Sequence, residues 1–444
     1  MKYLKLTIII LVCIFVFGQA QVWKSIGLPP MNVSKIIVDS INQRAVLFGG
    51  GFGGNYWSDG VYEMSLIDTL YSGWMRLNVT GPHHKRGYHT FTYDSKLHRA
   101  IVFGGDTTNG YPNYNNDVWA LNLQLGSESW QILNTTGNKP IPRANPSDIY
   151  HPIRNSLIIY SGIDINGDYP DDVWEFKLDS LIWRQVNITG TKPMPRQASA
   201  SLYDKQNNRM IIFGGAAYGV FYNDVWALDL TKGNEHWTQL SPTGIIPSGR
   251  CAPAYGFDTK RSKLYIFGGW NYYGGFTFYN DVYGLDIPTL TWSKIYPTGD
   301  LPAVRRNSAG AYDILNDNFI TTGGDCYSYD FSDTHILFLG PITTSTEWVP
   351  VTNYITPDIL INSPSVDLIR IRYIMPTADN IKVDIVDING KMIRTLYSGK
   401  SSLNNGWLVW NRTDNNNKKV STGVYFCRLQ TEELTLSKKF VIVK

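Results

Sequence analysis

Short apolar runs alternate with polar, glycine-rich turns along most of this chain, and residues 196–240 show the pattern most clearly. A first apolar run and a polar turn lead to Met210–Phe213, which ends in a glycine pair. An aromatic loop, the segment Asn223–Trp226 and then Trp237 follow. Each run has the length and the β-branched or aromatic content of a strand, with Gly, Asn and Asp between the runs. The unit predicts a four-stranded antiparallel sheet.

The same unit recurs along the chain, with its glycine pairs 53 to 57 residues apart. A period of this length indicates a propeller or a solenoid. The runs that end at the pair are Val46–Gly50, Ile101–Gly105, Ile158–Gly162, Met210–Gly215, Tyr265–Gly269 and Ile320–Gly324. The predicted fourth strands begin at Trp74, Trp130, Trp183, Trp237, Trp292 and Trp348. Six copies predict six blades.

The repeat resembles that of the kelch family in three features. These are the double glycine, the later Asn-Asp-Val-Trp segment and the Trp at the start of the fourth strand. The resemblance covers about residues 21–350. It implies an all-β fold, a six-bladed β-propeller whose blades surround a central channel. The glycine pair would then supply backbone freedom at the end of the second strand, and the tryptophans would be wedges between blades.

Closure of the ring needs a strand that joins the first blade to the last. Val22–Ile26 resembles the fourth-strand segment Thr291–Ile295, although no first three strands precede it. We expect this N-terminal strand to pair with the last blade, in competition with Trp348–Val351.

Residues 1–20 have the pattern of a secretory signal peptide, with Lys2 and Lys5 before an apolar core and small residues at the end. The rest of the chain contains no other candidate membrane span, so we expect an exported protein without a transmembrane anchor. Without the first 20 residues, 38 basic residues face 37 acidic ones. This balance, with no basic block, argues against nucleic acid or an anionic membrane as a partner. The three remaining cysteines, Cys251, Cys326 and Cys427, are expected to be free and buried, although Cys251 and Cys326 could pair.

An arginine follows a Thr-Gly pair and a proline in each connection from a fourth strand to the next blade. The five arginines are Arg86, Arg143, Arg196, Arg250 and Arg305. They should lie at one mouth of the channel, where they could bind carboxylates or acidic sugars. In the alternative interpretation each arginine pairs with the repeated Asp of a nearby third strand and only stabilises its blade.

The loops between second and third strands are predicted to reach the same face, and they are rich in Tyr, Trp, Gly and Asn. Such loops suit protein recognition and stacking on sugar rings, or they could pack on each other to cover the blades. The predicted ligand-binding aromatic residues are Tyr56, Trp57, Tyr111, Tyr114, Tyr218, Tyr222, Trp270, Tyr272 and Tyr273.

Two groups of residues are weak candidates for a metal site. Asp164, Asn166 and Asp168, with Glu175 further on, have the alternating oxygens of a calcium loop, but the glycine stands at the fourth position instead of the sixth. His83, His84 and His89 lie near one mouth. We expect a solvated acidic loop and no cofactor, with calcium as the alternative.

No nucleophile and base stand in a recognisable arrangement, and we assign no catalytic residue. The residues do not match a galactose-oxidase-like copper site, and the repeated box of sialidases is missing. A mutarotase- or oxidase-like carbohydrate enzyme that works at the arginine-lined mouth stays open as an alternative.

The period stops after Trp348, and residues 352–364 are predicted to be a linker. Strictly alternating segments follow, with Asn389-Gly390 as a hairpin turn, so residues 365–444 predict a small immunoglobulin-like β-sandwich. Tyr373–Pro376, Val386–Lys391 and Ser421–Tyr425 make this region resemble the hook-capping-protein-like sorting domains of type IX secretion in bacteria. The resemblance implies that the secretion machinery recognises this domain.

The sequence thus predicts a signal peptide at 1–20, a propeller at 21–351, a linker at 352–364 and a sorting domain at 365–444. The expected function is that of a secreted or surface-attached binding or adhesion propeller, which recognises an extracellular glycan or protein through its aromatic loops.

Overall fold

The computed structural model describes residues 21–27, 31–52, 56–66, 73–82, 84–108, 113–327, 329–339, 358–361, 369–375, 380–400, 404–432 and 434–443. The chain divides into two compact units, 1–342 and 343–444. All regular structure in the described ranges is β-strand. None of these residues forms a helix long and apolar enough to cross a membrane. The predicted signal peptide lies outside the described residues.

The first unit is a propeller of six sheets, each with four antiparallel strands from the channel outward. The strands follow chain order in blades 1 to 5, whereas the N-terminal strand takes the fourth position in blade 6. Blade 1 contains Lys35–Asp39, Arg44–Phe48, Val61–Ser65 and Trp74–Arg76, and blade 2 contains Thr92–Asp94, Arg99–Phe103, Val118–Asn122 and Ser129–Ile132. Blade 3 contains Ser147–His151, Ser156–Tyr160, Val173–Lys177 and Ile182–Val186, and blade 4 contains Ala200–Asp204, Arg209–Phe213, Val225–Asp229 and His236–Leu240. Blade 5 contains Ala254–Asp258, Lys263–Phe267, Val282–Asp286 and Thr291–Ile295, and blade 6 contains Ala309–Asp313, Asn318–Thr322, Asp333–Phe338 and Val22–Gly27. The predicted six-bladed propeller is confirmed.

Six apolar clusters fill the six seams between neighbouring blades. The second strand of blade 4 shows why its run has no polar residue. Met210 and Ile212 pack into the seam with blade 3, whereas Ile211 and Phe213 pack into the seam with blade 5. Because successive side chains of a strand point to opposite faces, a sheet that is covered on both sides needs an uninterrupted apolar strand.

The tryptophans at the start of the fourth strands are wedges between blades, as expected. Trp237 packs on Tyr160 of the preceding blade with ring centres 4.9 Å apart, and Trp292 packs on Phe213 at 4.8 Å. Trp130 and Trp183 make the same contact with Phe48 and Phe103. In each of these four seams the two blades contribute one aromatic side chain each.

The N-terminal strand closes the ring. Val22–Gly27 pairs antiparallel with Asp333–Phe338, and Trp23 lies opposite Leu337. The indole of Trp23 is buried against Phe267 of blade 5, at 5.5 Å between ring centres, so it fills the position that a fourth-strand tryptophan fills elsewhere. The expectation for this strand is confirmed, and the competing segment 348–351 lies outside the described residues.

The second unit is a sandwich of two antiparallel sheets. The three-stranded sheet consists of Asp358–Ile361, Ile369–Met375 and Asn404–Trp410, and the four-stranded sheet consists of Met392–Lys400, Asn380–Asp387, Gly423–Gln430 and Thr435–Ile442. Its core includes Ile371, Val383, Trp410 and Cys427. The expected hairpin turn is present, with Gly390 at φ 77°, where a glycine is favoured.

The linker prediction for residues 352–364 is wrong in part. Asp358–Ile361 forms a strand that pairs with Ile369–Met375, and Ile359 is buried in the sandwich core. The run is four residues long and directly follows Pro357, which made it look like a linker. Its hydrogen bonds come from a partner strand that lies later in the chain.

We predict that Trp23→Ala destabilises the propeller by about 3–5 kcal/mol, because a buried indole leaves a cavity in the seam between blades 5 and 6. Chemical unfolding of the purified protein measures this loss. Amide hydrogen exchange should accelerate most in Asp333–Phe338, the strand that pairs with Trp23.

Ser25→Ala on the same strand is the matched control, since the Ser25 side chain is exposed and should contribute less than about 0.5 kcal/mol. Equal unfolding free energies for the two variants would contradict the assigned role of the N-terminal strand.

Candidate functional site

The five predicted arginines are buried, with 0 to 1% of each residue exposed. Each guanidinium group forms a two-pronged ion pair with the Asp that begins the third strand of its own blade. In the pair of Arg86 with Asp117 the two hydrogen bonds measure 2.9 and 2.7 Å. The other pairs are Arg143 with Asp172, Arg196 with Asp224, Arg250 with Asp281 and Arg305 with Asp333.

The same arginines also connect each blade to the blade before it. The backbone carbonyl of Arg250 accepts a hydrogen bond of 2.9 Å from the N–H of Gly215, which ends the second strand of blade 4. The neighbouring Gly214 has φ 69°, and a Cβ there would stand 2.7 Å from that carbonyl oxygen. Glycine is therefore required both for the conformation and for the close approach, as the sequence pattern indicates.

These contacts correct the prediction that Arg86, Arg143, Arg196, Arg250 and Arg305 bind a ligand. Besides the Asp, each guanidinium donates to a carbonyl at the end of the second strand, as Arg196 does to Gly214 at 3.0 Å. A planar aromatic ring covers Arg196, with Tyr222 at 3.9 Å from the guanidinium carbon. Because each guanidinium is buried and is engaged by an Asp and by a backbone carbonyl of its own blade, we assign these arginines to the framework.

The predicted aromatic residues take different positions on one face of the propeller. This loop face is formed by the connections between second and third strands and by those that carry the arginines, which pair with each other in short bridges such as Cys251 with Trp270. Trp57 is buried, Tyr114 and Tyr222 are half-buried, and Tyr56 and Tyr218 are exposed. Tyr111 lies outside the described residues.

Seven aromatic residues from blades 4, 5 and 6 form one contiguous group, which we call the aromatic surface. Its members are Phe221, Trp270, Tyr272, Tyr273, Phe276, Phe278 and Tyr327. Phe276 is central, with ring centres 5.6 Å from Trp270, 5.0 Å from Tyr272 and 5.1 Å from Tyr327. Four members face solvent, since Tyr272, Tyr273, Phe276 and Tyr327 are 49, 64, 48 and 63% exposed.

Strand pairing, a stacked arginine and a hydrogen bond fix the residues of the aromatic surface in position. Trp270–Tyr272 and Phe276–Phe278 form a hairpin, which aligns their side chains. Arg306 lies over the Trp270 ring at 4.6 Å and is itself fixed by Asp325 at 2.9 Å. The Tyr273 hydroxyl donates to the Phe221 carbonyl at 2.9 Å.

Four of these residues, Phe221, Phe276, Phe278 and Tyr327, were not among the predicted site residues. The alternation of Phe276-Thr-Phe278 after two glycines is a hairpin signal that could have found two of them. Phe221 and Tyr327 join through contacts between blades, which no local pattern shows.

The acidic loop of blade 3 is built differently from a calcium loop. Asp164 is buried, and its Oδ1 accepts the backbone N–H groups of Asn166 and Asp168 at 2.8 and 2.9 Å. Glu175 lies on the third strand, where it binds Ser156 and Lys177. The calcium interpretation is therefore wrong for Glu175, and within the described ranges no group of three or more His, Cys, Asp or Glu could hold a metal ion.

The histidines near the mouth pack as aromatic side chains. His84 stacks on Trp119 at 4.3 Å between ring centres, and His89 is buried beside Phe48 at 5.0 Å. Burial, with the nearby positive charge of Arg86, lowers the pKa of His89 well below its ordinary value. His83 lies outside the described residues. Cys251, Cys326 and Cys427 are all free, and Cys251 and Cys427 are buried, whereas Cys326 is only half-buried.

The model of the KLHDC2/KLHL20/DRC7 Kelch-repeats domain matches residues 98–324, just over half of the chain. The chain belongs to the kelch-repeat family. A second model, the secretion system C-terminal sorting domain, matches residues 363–443. This kelch protein thus carries a domain that implies export through type IX secretion to the cell surface or the extracellular space, and contact with that machinery.

Several curated proteins resemble the kelch propeller. The acyl-CoA-binding domain-containing protein 5 of Arabidopsis thaliana is 26% identical over 292 residues, which are 63% of this chain and 42% of that protein. The leucine-zipper-like transcriptional regulator 1 homolog of Drosophila melanogaster is 30% identical over 219 residues, 48% of this chain and 20% of its own length. The chain spans less than half the length of these relatives.

A solved structure has the same fold. The structure of YjhT aligns with a TM-score of 0.54 and 17% sequence identity, and the alignment covers 69% of this chain and 95% of YjhT. At this identity the likeness concerns the fold alone.

We predict that Asp224→Asn destabilises the propeller by about 3–5 kcal/mol, because it leaves the buried Arg196 guanidinium without its counter-charge. The free energy of chemical unfolding measures the effect. Asp171→Asn, which breaks the exposed pair with Lys192, is the matched control and should cost less than about 1 kcal/mol. A similar small loss in both variants would show that the buried pair does not support the blade.

Stability should also fall in acid. Burial raises the pKa of Asp117, but the hydrogen bonds and charge of Arg86 outweigh it and hold that pKa below its ordinary value of 3.8. A carboxylate with a lowered pKa stabilises the folded state fully above about pH 3.8, and this contribution is lost as the pH falls below that value. Unfolding free energies measured between pH 5 and pH 2 should therefore decline, and less steeply in Asp117→Asn. An identical slope in this variant would refute the assignment.

Proposed function

We propose that this kelch protein is an exported binding protein that captures an extracellular protein through its aromatic surface. The observation that carries the proposal is the exposure of Tyr272, Tyr273, Phe276 and Tyr327 in one contiguous group. Contiguous exposed apolar groups are uncommon on soluble proteins and mark interaction sites. Tyr, Trp and Arg are also the residues that contribute most to protein interfaces.

The support of the aromatic surface favours binding further. Its rings are fixed by the hairpin, by the Arg306 stack and by the Tyr273 hydrogen bond. A partner would therefore meet side chains whose conformational entropy is already low, which is the advantage of a preorganised interface.

A glycan is the second candidate, because exposed aromatic faces stack on sugar rings. The polar side chains beside the aromatic surface form hydrogen bonds inside the protein, however. Asn271 donates to the Gly249 carbonyl, and Asp325 accepts from Arg306 and Asn307. With these groups engaged, a partner with apolar side chains fits the surface better than a ligand rich in hydroxyl groups.

The enzymatic alternative was tied to the arginine-lined mouth. It has no support from the contacts of those arginines, whose guanidinium groups are buried and paired with aspartate. We therefore propose no reaction.

The test exposes the purified protein to a displayed library of random peptides and, separately, to a glycan microarray. We expect selection of peptides rich in apolar and aromatic residues. The triple variant Tyr272→Ala, Tyr273→Ala and Phe276→Ala should weaken binding of the selected peptides at least tenfold, since it removes the exposed anchors.

The control is a triple alanine variant of exposed apolar residues in turns on the opposite face, Ile41, Leu97 and Ile153, which should bind unchanged. Selective glycan binding that depends on the same three aromatic residues would favour the second candidate. Two blank screens, or equal binding by the aromatic variant, would overturn the proposal.

A further inference from the structure

The central channel contains a polar chamber that is separate from the aromatic surface. All six blades line this space, which has a volume of about 220 Å³. Its polar lining residues are Lys35, Thr92, Tyr93, Asp148, Ser201, Tyr255 and Ser308. Such a volume is smaller than the roughly 300–1,000 Å³ of sites for drug-sized ligands. The chamber can therefore hold only a small molecule.

A backbone ring narrows the channel at the loop face. The residue two positions after each of the five arginines has a positive φ, and so does the equivalent residue of blade 1. These six φ angles lie between 49° and 57°. These residues are Val33, Tyr88, Asn145, Ala198, Ala252 and Asn307. They donate backbone hydrogen bonds around the channel, such as Ala252 to Ala198 at 2.8 Å. The ring leaves a space of about 30 Å³ beside the chamber, close to the volume of one water molecule.

Lys35 brings a positive charge into the chamber without a partner for it. Its Nζ lies 5.8 Å from the centre of the Tyr255 ring. Among the residues that the structure describes, it has no hydrogen bond and no ion pair. Lys35 is half-buried, and the three donors of its ammonium group are available to a ligand in the chamber.

Asp148 brings the opposite charge. One oxygen of its carboxylate accepts a hydrogen bond of 2.5 Å from the Thr92 hydroxyl. Burial raises the pKa of Asp148, although the charge of Lys35 and the Thr92 bond act against this shift. Lys35 and Asp148 do not form a direct salt bridge. The chamber thus presents two separated opposite charges toward one small space.

We propose that the chamber binds a small zwitterion of the α-amino acid class, with its carboxylate at the Lys35 ammonium and its ammonium at the Asp148 carboxylate. A zwitterion pairs with both charges at once. A simple anion would be repelled by the Asp148 carboxylate, and a simple cation would be repelled by the Lys35 ammonium. Ser201 holds the Asp148 backbone in place, because its hydroxyl donates to the Asp148 carbonyl at 2.9 Å and accepts from the Asp148 N–H at 3.2 Å. The Tyr255 hydroxyl, 3.4 Å from the Ser201 oxygen, adds a polar group for the ligand. Phe91 and Pro253 supply apolar wall for its carbon atoms.

The experiment is isothermal titration calorimetry of the full protein with glycine, L-alanine, L-serine, β-alanine and γ-aminobutyrate. Propionate and propylamine are the singly charged comparisons of similar size. We expect at least one of the three α-amino acids to bind at least tenfold more tightly than either singly charged comparison. It should also bind more tightly than β-alanine and γ-aminobutyrate, in which the two charges are further apart. Lys35→Met and Asp148→Asn should each lower the affinity for that ligand at least tenfold.

Two controls separate this site from folding and from the aromatic surface. Lys294→Met, on an outer strand, should bind as the parent protein does, and so should the triple aromatic variant. The melting temperatures of Lys35→Met and Asp148→Asn, compared with that of the parent protein, show whether either variant loses binding because it is unfolded. The proposal is overturned if no zwitterion binds at millimolar concentration, if propionate binds equally well, or if Lys35→Met leaves binding unchanged.

Discussion

Each arginine that precedes a first strand is shared by two blades, and the geometry of the ring depends on it. Its side chain pairs with the Asp of its own blade, and its carbonyl accepts the glycine N–H of the preceding blade. A buried guanidinium has to satisfy its donors, so the position of the Asp is constrained by the arginine. The glycine pair is constrained in turn, because only glycine combines that φ with that close approach. The loops beyond this shared contact are free to differ.

The periodic part of the structure could be predicted from the sequence because one constraint acts in every blade. A second strand that is covered on both faces must be apolar throughout, and this requirement leaves a run such as Met210–Phe213 in each copy. The tryptophans recur for a similar reason, because they pack into the seams between neighbouring blades. Trp23 allowed the N-terminal strand to be recognised in the same way. The strand Asp358–Ile361 could not, because a run of four residues gains its stability from a partner that follows later in the chain.

The candidate sites were harder to predict because they lie where the repeat is broken. Five residues after the arginine, the blades carry Phe91, Asp148, Ser201, Tyr255 and Gly310, five different chemistries at one structural position. The repeat identifies that position in each blade, but it does not indicate that the five residues line one chamber. The aromatic surface is similar, since the contact of Phe276 with Tyr327 joins loops from two blades. The arginines, in contrast, were easy to find in the sequence because they belong to the repeated framework and not to a site where the repeat is broken.

The pairing of Val22–Gly27 with Asp333–Phe338 has a consequence for the order in which the molecule forms. The partners are separated by roughly 300 residues, so the earliest strand to emerge during synthesis waits unpaired until blade 6 has been made. Contacts over such distances are the slowest to form, and an open strand edge is a site for wrong pairing. The sorting domain is synthesised after blade 6. By the time that domain is complete, every described strand of the propeller has already been made. The domain that the secretion machinery recognises therefore follows a ring that can already be closed.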